Sequence, residues 1–446
     1  MRSTLFRALT LLAAAAIVLV GGGLAAGSGM QPRTAVVPPA PSNPGLAADE
    51  PSSSPVRSFE PPSVAPAASP TATPSGDLGA GFTWTGSPEG GNGNPLGETA
   101  TLLHDGRVLV TEPCGTTAEL YDPRTGTFTA TGSLTVTRGG GTATLLADGR
   151  VLVAGGYNCG AAGQDGIWAS AEIYDPASGT FEPTGTMGAA REFHTATLLN
   201  DGRVLVAGGV SGPPVLAAGG IVLASVTTAD SSSSVLSTAE IFDPLSGTFR
   251  KTGSMGTFRD HHTATLLADG RVLVAGGGGE GYASSTSAEV YDPTTDRFEA
   301  TGSMREGRWL HTASLLGDGR VLVLGGRSPR DSVYRSAEMY DPRSGKFATA
   351  GSMRDGRQQH TATVLPDGRV FIAGGVWQDG IDAHVLSATE MYDPSAGTFT
   401  RLGSMGTPRS EHTATLLPDG RVLIVGGIDI GAAGGLPVTS AVLFEP

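Results

Sequence analysis

The chain has 446 residues and a formal net charge of −13. That acidic balance argues against a nucleic-acid partner, because a phosphate backbone calls for a basic footprint. Lysine is nearly absent (Lys251 and Lys346 only), and the cysteines are Cys114 and Cys159.

From the N-terminus, residues 1–26 read as a signal peptide or a membrane anchor. Arg2 and Arg7 supply the positive start, and Ala8 to Ala26 form an uncharged, mostly apolar run. The run suits a cleaved export signal and is also long enough to anchor, so both readings stay open. No cysteine lies near its end, so a lipid-modified N-terminus is not expected. A secreted or extracellular protein is expected, with N-terminal anchoring as the variant. Residues 27–80 are rich in Pro, Ala and Ser, with 12 prolines from Pro32 to Pro74. Such a segment lacks ladder donors and enough apolar surface to offset its ordering entropy, so a disordered linker is expected.

Residues 81–446 hold one unit written seven times. Its landmark Asp-Gly-Arg starts at Asp105, Asp148, Asp201, Asp269, Asp318, Asp367 and Asp419. A period near 50 residues with short β-type runs predicts an all-β, seven-bladed propeller. Each unit reads as four antiparallel strands, here called a to d. His194 to Leu199 is strand a, with Asp201-Gly202 as a two-residue hairpin signal. Arg203 to Ala207 is strand b, ending at Gly208-Gly209. Ala239 to Phe242 is strand c, followed by the turn Asp243-Pro244-Leu245-Ser246-Gly247, and Phe249 opens strand d.

Length varies almost only between strands b and c. Six strand-c glutamates stand 29 residues before the next Asp-Gly-Arg. The stretch from Asp-Gly-Arg to that glutamate is 14 residues in blade 1 and 39 in blade 3. One face is therefore sealed by tight a–b and c–d turns, and the other carries the b–c loops and d–a connections, where function concentrates. The chain ends in a strand c, Ala441 to Phe444, and begins its first unit with a strand d at Phe82. The N-terminal strand is expected to complete the last blade and remove exposed edges, and a monomer is expected.

An arginine follows each of six strand-c glutamates by 19 residues. The pairs are Glu119 and Arg138, Glu172 and Arg191, Glu240 and Arg259, Glu289 and Arg308, Glu338 and Arg357, Glu390 and Arg409. The seventh Glu slot is Val442, and the seventh Arg slot is Asn92 or Pro95. The constant spacing predicts ion pairs between the Glu of each blade and the Arg leading into the next.

In the Gly-Gly after strand b, the Tyr-Asp-Pro after strand c and the Arg-x-x-His before strand a, the chain resembles the Kelch repeat family. The branch it is similar to includes the central domain of galactose oxidase. The resemblance covers the whole repeat region and implies the propeller fold; such propellers serve as enzymes and as binding platforms. For the copper-radical oxidases of the family it implies a copper-ligand histidine in the segment like His-Thr-Ala-Thr-Leu-Leu-Pro-Asp-Gly-Arg. This chain has five such histidines, His194, His262, His311, His360 and His412. Their preceding residues, Phe193, His261, Leu310, Gln359 and Glu411, include no Tyr. One slot repeated around a ring is a poor mononuclear site, which needs unlike ligands converging on one point. The histidines are therefore read as structural, and neither metal nor cofactor is expected.

Cys114 and Cys159 lie in the b–c loops of neighbouring blades and are expected to form one disulfide. The aromatic residues outside the core template, Tyr157, Trp168, Tyr282, Tyr334 and Trp377, stand in b–c loops, and Trp309 in a d–a connection. Large amphipathic rings anchor ligands and partners, so these six are the candidate ligand contacts, no catalytic residue being assigned. The reading is an exported, non-catalytic binding platform for a glycan or protein. The alternatives are a copper-radical oxidase of sugars or alcohols, and a lyase or hydrolase on the same face.

Overall fold

The computed structural model describes residues 77–88, 99–112, 114–158, 166–212, 234–279, 284–328, 332–379, 382–429 and 436–446. The segments expected to be the export signal and most of the linker (1–76) lie outside the described residues. The repeat region forms seven four-stranded antiparallel sheets. Blade 1 comprises Thr99–Leu102, Val108–Thr111, Ala118–Asp122 and Thr127–Ala130. In blade 7, strands a to c are Thr413–Leu416, Val422–Val425 and Ala441–Phe444, and strand d is the N-terminal Phe82–Trp84. Phe82 pairs with Phe444 and Trp84 with Val442, so the two ends of the repeat region share one sheet.

Packing follows from which strand faces what. Strand b reads as a continuous apolar run, such as Val204–Ala207, and all four residues are buried. A strand covered on both faces needs no polar alternation. Seven apolar clusters each join neighbouring blades. Leu109 and Leu120 of blade 1 pack on Val151 and Val153 of blade 2, and Leu423 and Leu443 of blade 7 pack on Val108 and Tyr121 of blade 1. The strands a touch one another in unbroken cyclic order and form the innermost ring.

The a–b turn corrects the two-residue hairpin reading. Gly106 N–H donates to the Leu103 carbonyl at 3.0 Å and Leu103 N–H to the Arg107 carbonyl at 2.8 Å, leaving a three-residue loop. Gly106 has φ 86°, the left-handed residue that follows a type I turn in such loops. Asp105 accepts from the Arg107 backbone N–H and side chain, closing the loop from within. The same turn face links blades: Arg421 donates to the Pro123 carbonyl across the seam between blades 7 and 1. The opposite face carries two-stranded hairpins in the b–c loops of blades 3, 6 and 7.

The arginines and glutamates meet, but not as the constant spacing suggested. Arg138 pairs with Glu172 at 3.0 Å, Arg191 with Glu240 at 2.8 Å and Arg259 with Glu289 at 2.9 Å. Arg308 pairs with Glu338 at 2.9 Å and Arg357 with Glu390 at 2.6 Å. Each arginine thus enters the blade that follows it and binds that blade's own strand c, so Glu119 is not the partner of Arg138. The arginine's backbone, meanwhile, stays with the preceding blade. Arg191 N–H donates to the Trp168 carbonyl of blade 2, and its carbonyl accepts from Gly156 of the same blade. One residue therefore ties two blades, its backbone to one and its guanidinium to the next. At the closure, Arg409 meets the Ser440 hydroxyl and carbonyl beside Val442. The slot for Glu119, Asn92 or Pro95, lies outside the described residues.

Candidate ligand-binding site at the axial mouth

The d–a connections lead from each arginine to the axis. Two residues after the arginine the chain turns left-handed in six blades, at Gly140, Phe193, His261, Leu310, Gln359 and Glu411, with φ between 45° and 64°. Five of these are not glycine, and such backbone costs energy and clusters at functional sites. The turn aims each N–H at the carbonyl of the equivalent residue one blade earlier. Phe193 donates to Gly140 at 2.9 Å, His261 to Phe193 and Leu310 to His261 at 3.2 Å, Gln359 to Leu310 and Glu411 to Gln359 at 3.1 Å. The result is a backbone arc of six linked turns around the axis on the variable face, carrying a different residue at each step.

Those side chains sort into two arcs. Phe193 stacks on His261 with ring centroids 4.2 Å apart, and His261 meets Trp309 edge-on at 5.6 Å. The Arg327 guanidinium lies 5.6 Å from the Trp309 ring centre, and Tyr157 lies 6.4 Å from Phe193. Across from this aromatic arc, the Gln359 amide donates to the Glu411 carboxyl. Burial pushes the Glu411 carboxyl up to about 8, against the opposing pull of that amide. At the same mouth, Trp309 Nε1 and Gln358 Oε1 are buried without a hydrogen-bond partner among the described residues, and His261 Nδ1 and Asp260 Oδ1 meet only each other, at 3.5 Å. Buried polar atoms are normally paired, so this grouping at one mouth points to a ligand.

The six aromatic candidates divide. Tyr157 and Trp309 touch the rim. Trp168 is corrected to a structural role: it is buried and donates to the Thr137 carbonyl at 2.8 Å, so it fastens its own loop. Tyr334 packs against the Arg308 guanidinium at 5.2 Å. Trp377 stacks on His384 at 5.3 Å, on the blade 6 hairpin. Tyr282 lies outside the described residues. His261, Gln359 and Glu411 were met in the sequence only as residues that are not Tyr. The usable signal was a varied pair of positions inside an otherwise constant Arg-x-x-His.

The five repeated histidines are spent between blades. Each shares a hydrogen bond from Nε2 with the first threonine of the preceding blade's strand a, at 2.9 to 3.1 Å. Burial, reinforced by the nearby arginine, lowers His194, His311 and His412 to about 3. Cys114 is disulfide-bonded, and Cys159, the only other cysteine of the sequence, lies outside the described residues.

The chain is thus a seven-bladed propeller of repeated four-stranded units with a built mouth on its variable face. Residues 308–354 match the Kelch motif, and no curated protein matches the sequence. Among solved structures, the fold is similar to a fungal alcohol oxidase of the AA5 family in complex with copper. That match has 19% identity and a TM-score of 0.61, over 83% of this chain and 76% of that one. It is also similar to the protein YjhT, at 14% identity and a TM-score of 0.53, over 69% of this chain and 95% of that one.

The described residues do not fit copper. No three His, Cys, Asp or Glu side chains among them converge as a metal site. The repeated imidazoles are committed to threonines, and the Tyr157 phenol, buried, is held above its usual range and so stays protonated.

Proposed function

We propose that the chain is a carbohydrate-binding propeller acting outside the cytoplasm, with its ligand at the axial mouth. The observation that carries this reading is the pairing of an aromatic arc with unsatisfied polar atoms and a carboxyl–amide pair. A sugar ring offers an apolar face for Phe193, His261 and Trp309, and hydroxyls for Gln358, Gln359 and Glu411. The Ala8 to Ala26 run and the Cys114 disulfide support an exported protein. Among the described residues no helix is long and apolar enough to cross a membrane.

The test is a glycan array with the purified propeller, then calorimetry on the best hit. His261→Asn keeps a residue that tolerates left-handed backbone, and Glu411→Gln keeps shape. Each is expected to weaken binding about tenfold or more, since losing a hydrogen bond or a stacked ring costs on the order of 1 to 2 kcal/mol. An array with no hit, or full affinity in both variants, would sink the reading. A protein ligand is the second reading, favoured by the Trp377–His384 stack, and Trp377→Ala should then be the damaging change.

A further inference from the structure

We propose that the sugar taken at the axial mouth is an amino sugar, its free ammonium seated on the polar arc. The proposal rests on the carbohydrate reading above and narrows it to one ligand class. The residues just before the left-handed turns form a second tier. Each is bridged to the residue after Gly-Gly in the blade it leads into: Glu192 to Val210, Asp260 to Gly278, Trp309 to Arg327, Gln358 to Val376 and Ser410 to Ile428. Gly278 gives up its place to the Asp260 carboxylate, since a Cβ there would collide with Oδ1. The two tiers thus bring the carboxyl groups of Glu192, Asp260 and Glu411 to the mouth, and the cation facing them, Arg327, is held against Trp309.

The atoms left open there are mainly acceptors. Gln358 is 5% exposed, and its Oε1 has no hydrogen-bond partner among the described residues. Asp260 Oδ1 lies 3.5 Å from His261 Nδ1, too far for a good hydrogen bond. The Glu411 carboxyl accepts from the Gln359 amide, and the opposing open donor is Trp309 Nε1. A hydroxyl brings one donor and two acceptor lone pairs, whereas an ammonium brings three donors and no acceptor. Aromatic rings attract a cation too, so the arc of Phe193, His261 and Trp309 suits the sugar ring and its charge alike. Glu411 supplies a signature. Burial, against the pull of Gln359, pushes its carboxyl up to about 8, and the Tyr157 phenol, which feels Glu192 and Glu411, also stays protonated. An ammonium beside that carboxyl favours its ionised form, so amine binding expels the Glu411 proton to solvent, whereas a neutral sugar leaves it in place.

Cello-, chitin- and chitosan-oligosaccharides share one backbone and carry a hydroxyl, an acetamide or an amine beside the anomeric carbon. Each is titrated into the propeller by calorimetry at about pH 6.5, where the amine is charged and Glu411 is not, in buffers of different ionisation enthalpy. The amine oligomer is expected to bind about tenfold tighter than the other two, as a charge-assisted hydrogen bond allows, and to release close to one proton per site. Glu411→Gln should abolish both the release and the preference for the amine. Gln358→Met removes an acceptor that the free protein leaves unpaired, so it should weaken the amine about threefold without lowering the melting temperature. Equal or tighter binding of the hydroxyl or acetamide oligomer overturns the amine and leaves the carbohydrate reading standing. Binding of none of the three also overturns it, and the glycan array then decides the carbohydrate reading separately. Amine binding without proton release, and unchanged in both variants, overturns the seat on the polar arc.

Discussion

Burial decides the protonation of the five imidazoles that precede the innermost strands. In the folded ring His194, His311 and His412 are held to about 3, and His262 and His360 well below their ordinary value. Unfolded, each would titrate near 6.5. Between those limits the unfolded chain takes up protons that the folded one refuses, so stability is full above pH 6.5 and falls as pH drops toward 3. Each imidazole contributes a slope of up to about 1.4 kcal/mol per pH unit. The melting temperature should therefore collapse below about pH 6, and His412→Gln should flatten the collapse by one proton. A level melting curve from pH 7 to 4 would refute the assignment. At the same scale, Arg308→Ala and Glu338→Ala should couple by about 1 to 3 kcal/mol in a double-mutant cycle. Arg308→Ala with Glu289→Ala should instead be close to additive, because Glu289 belongs to Arg259.

The elements show which spacings carry contact information. Strand positions, blade count and the composite last blade were legible because hydrophobic alternation and turn residues recur in register. The partner of each arginine was not. The constant 19 residues from Glu to Arg measures a fixed strand d and connection, and says nothing of touch. The true partners span the variable b–c loop, at separations of 34, 49, 30, 30 and 33 residues. The rim was hidden for a related reason: side chains brought together by an arc of left-handed turns lie some 50 residues apart and share no motif. Aromatic content pointed to Trp309 and Tyr157, yet equally to Trp168, whose indole serves its own loop. Removal of Gly81 to Ser87 tests the composite blade. It strips the partner from Ala441–Phe444 and exposes Phe444 and Val442, now packed with Phe82. Aggregation or a fall of several degrees in melting temperature is expected by light scattering and calorimetry. A monomer with an unchanged melt would overturn the closure.

On the scale of the whole ring, one face is a set of short turns and the other a mouth whose side chains differ at every step. Of the seven interfaces between blades, two depart from the shared sequence pattern. Blade 7 has Val442 where others carry the acidic partner of the incoming arginine, and no basic residue lies in the connection that leaves it for blade 1. The blade assembled from both termini of the repeat region thus lacks the repeated glutamate on one side and the repeated arginine on the other. During synthesis this blade is also the last that can form, since it waits for residue 444 to meet residue 82. Docking that strips water from a charged pair must overcome a desolvation penalty before any attraction is felt. Here the final joining step buries hydrocarbon such as Phe82, Val442 and Leu443, and so proceeds without that hurdle. The reverse holds as well: opening should begin there, and hydrogen exchange should find the amides of Ala441 to Phe444 less protected than those of Ser336 to Asp341. A ring closed by its own first strand keeps, in its seventh blade, a door that closes easily and opens first.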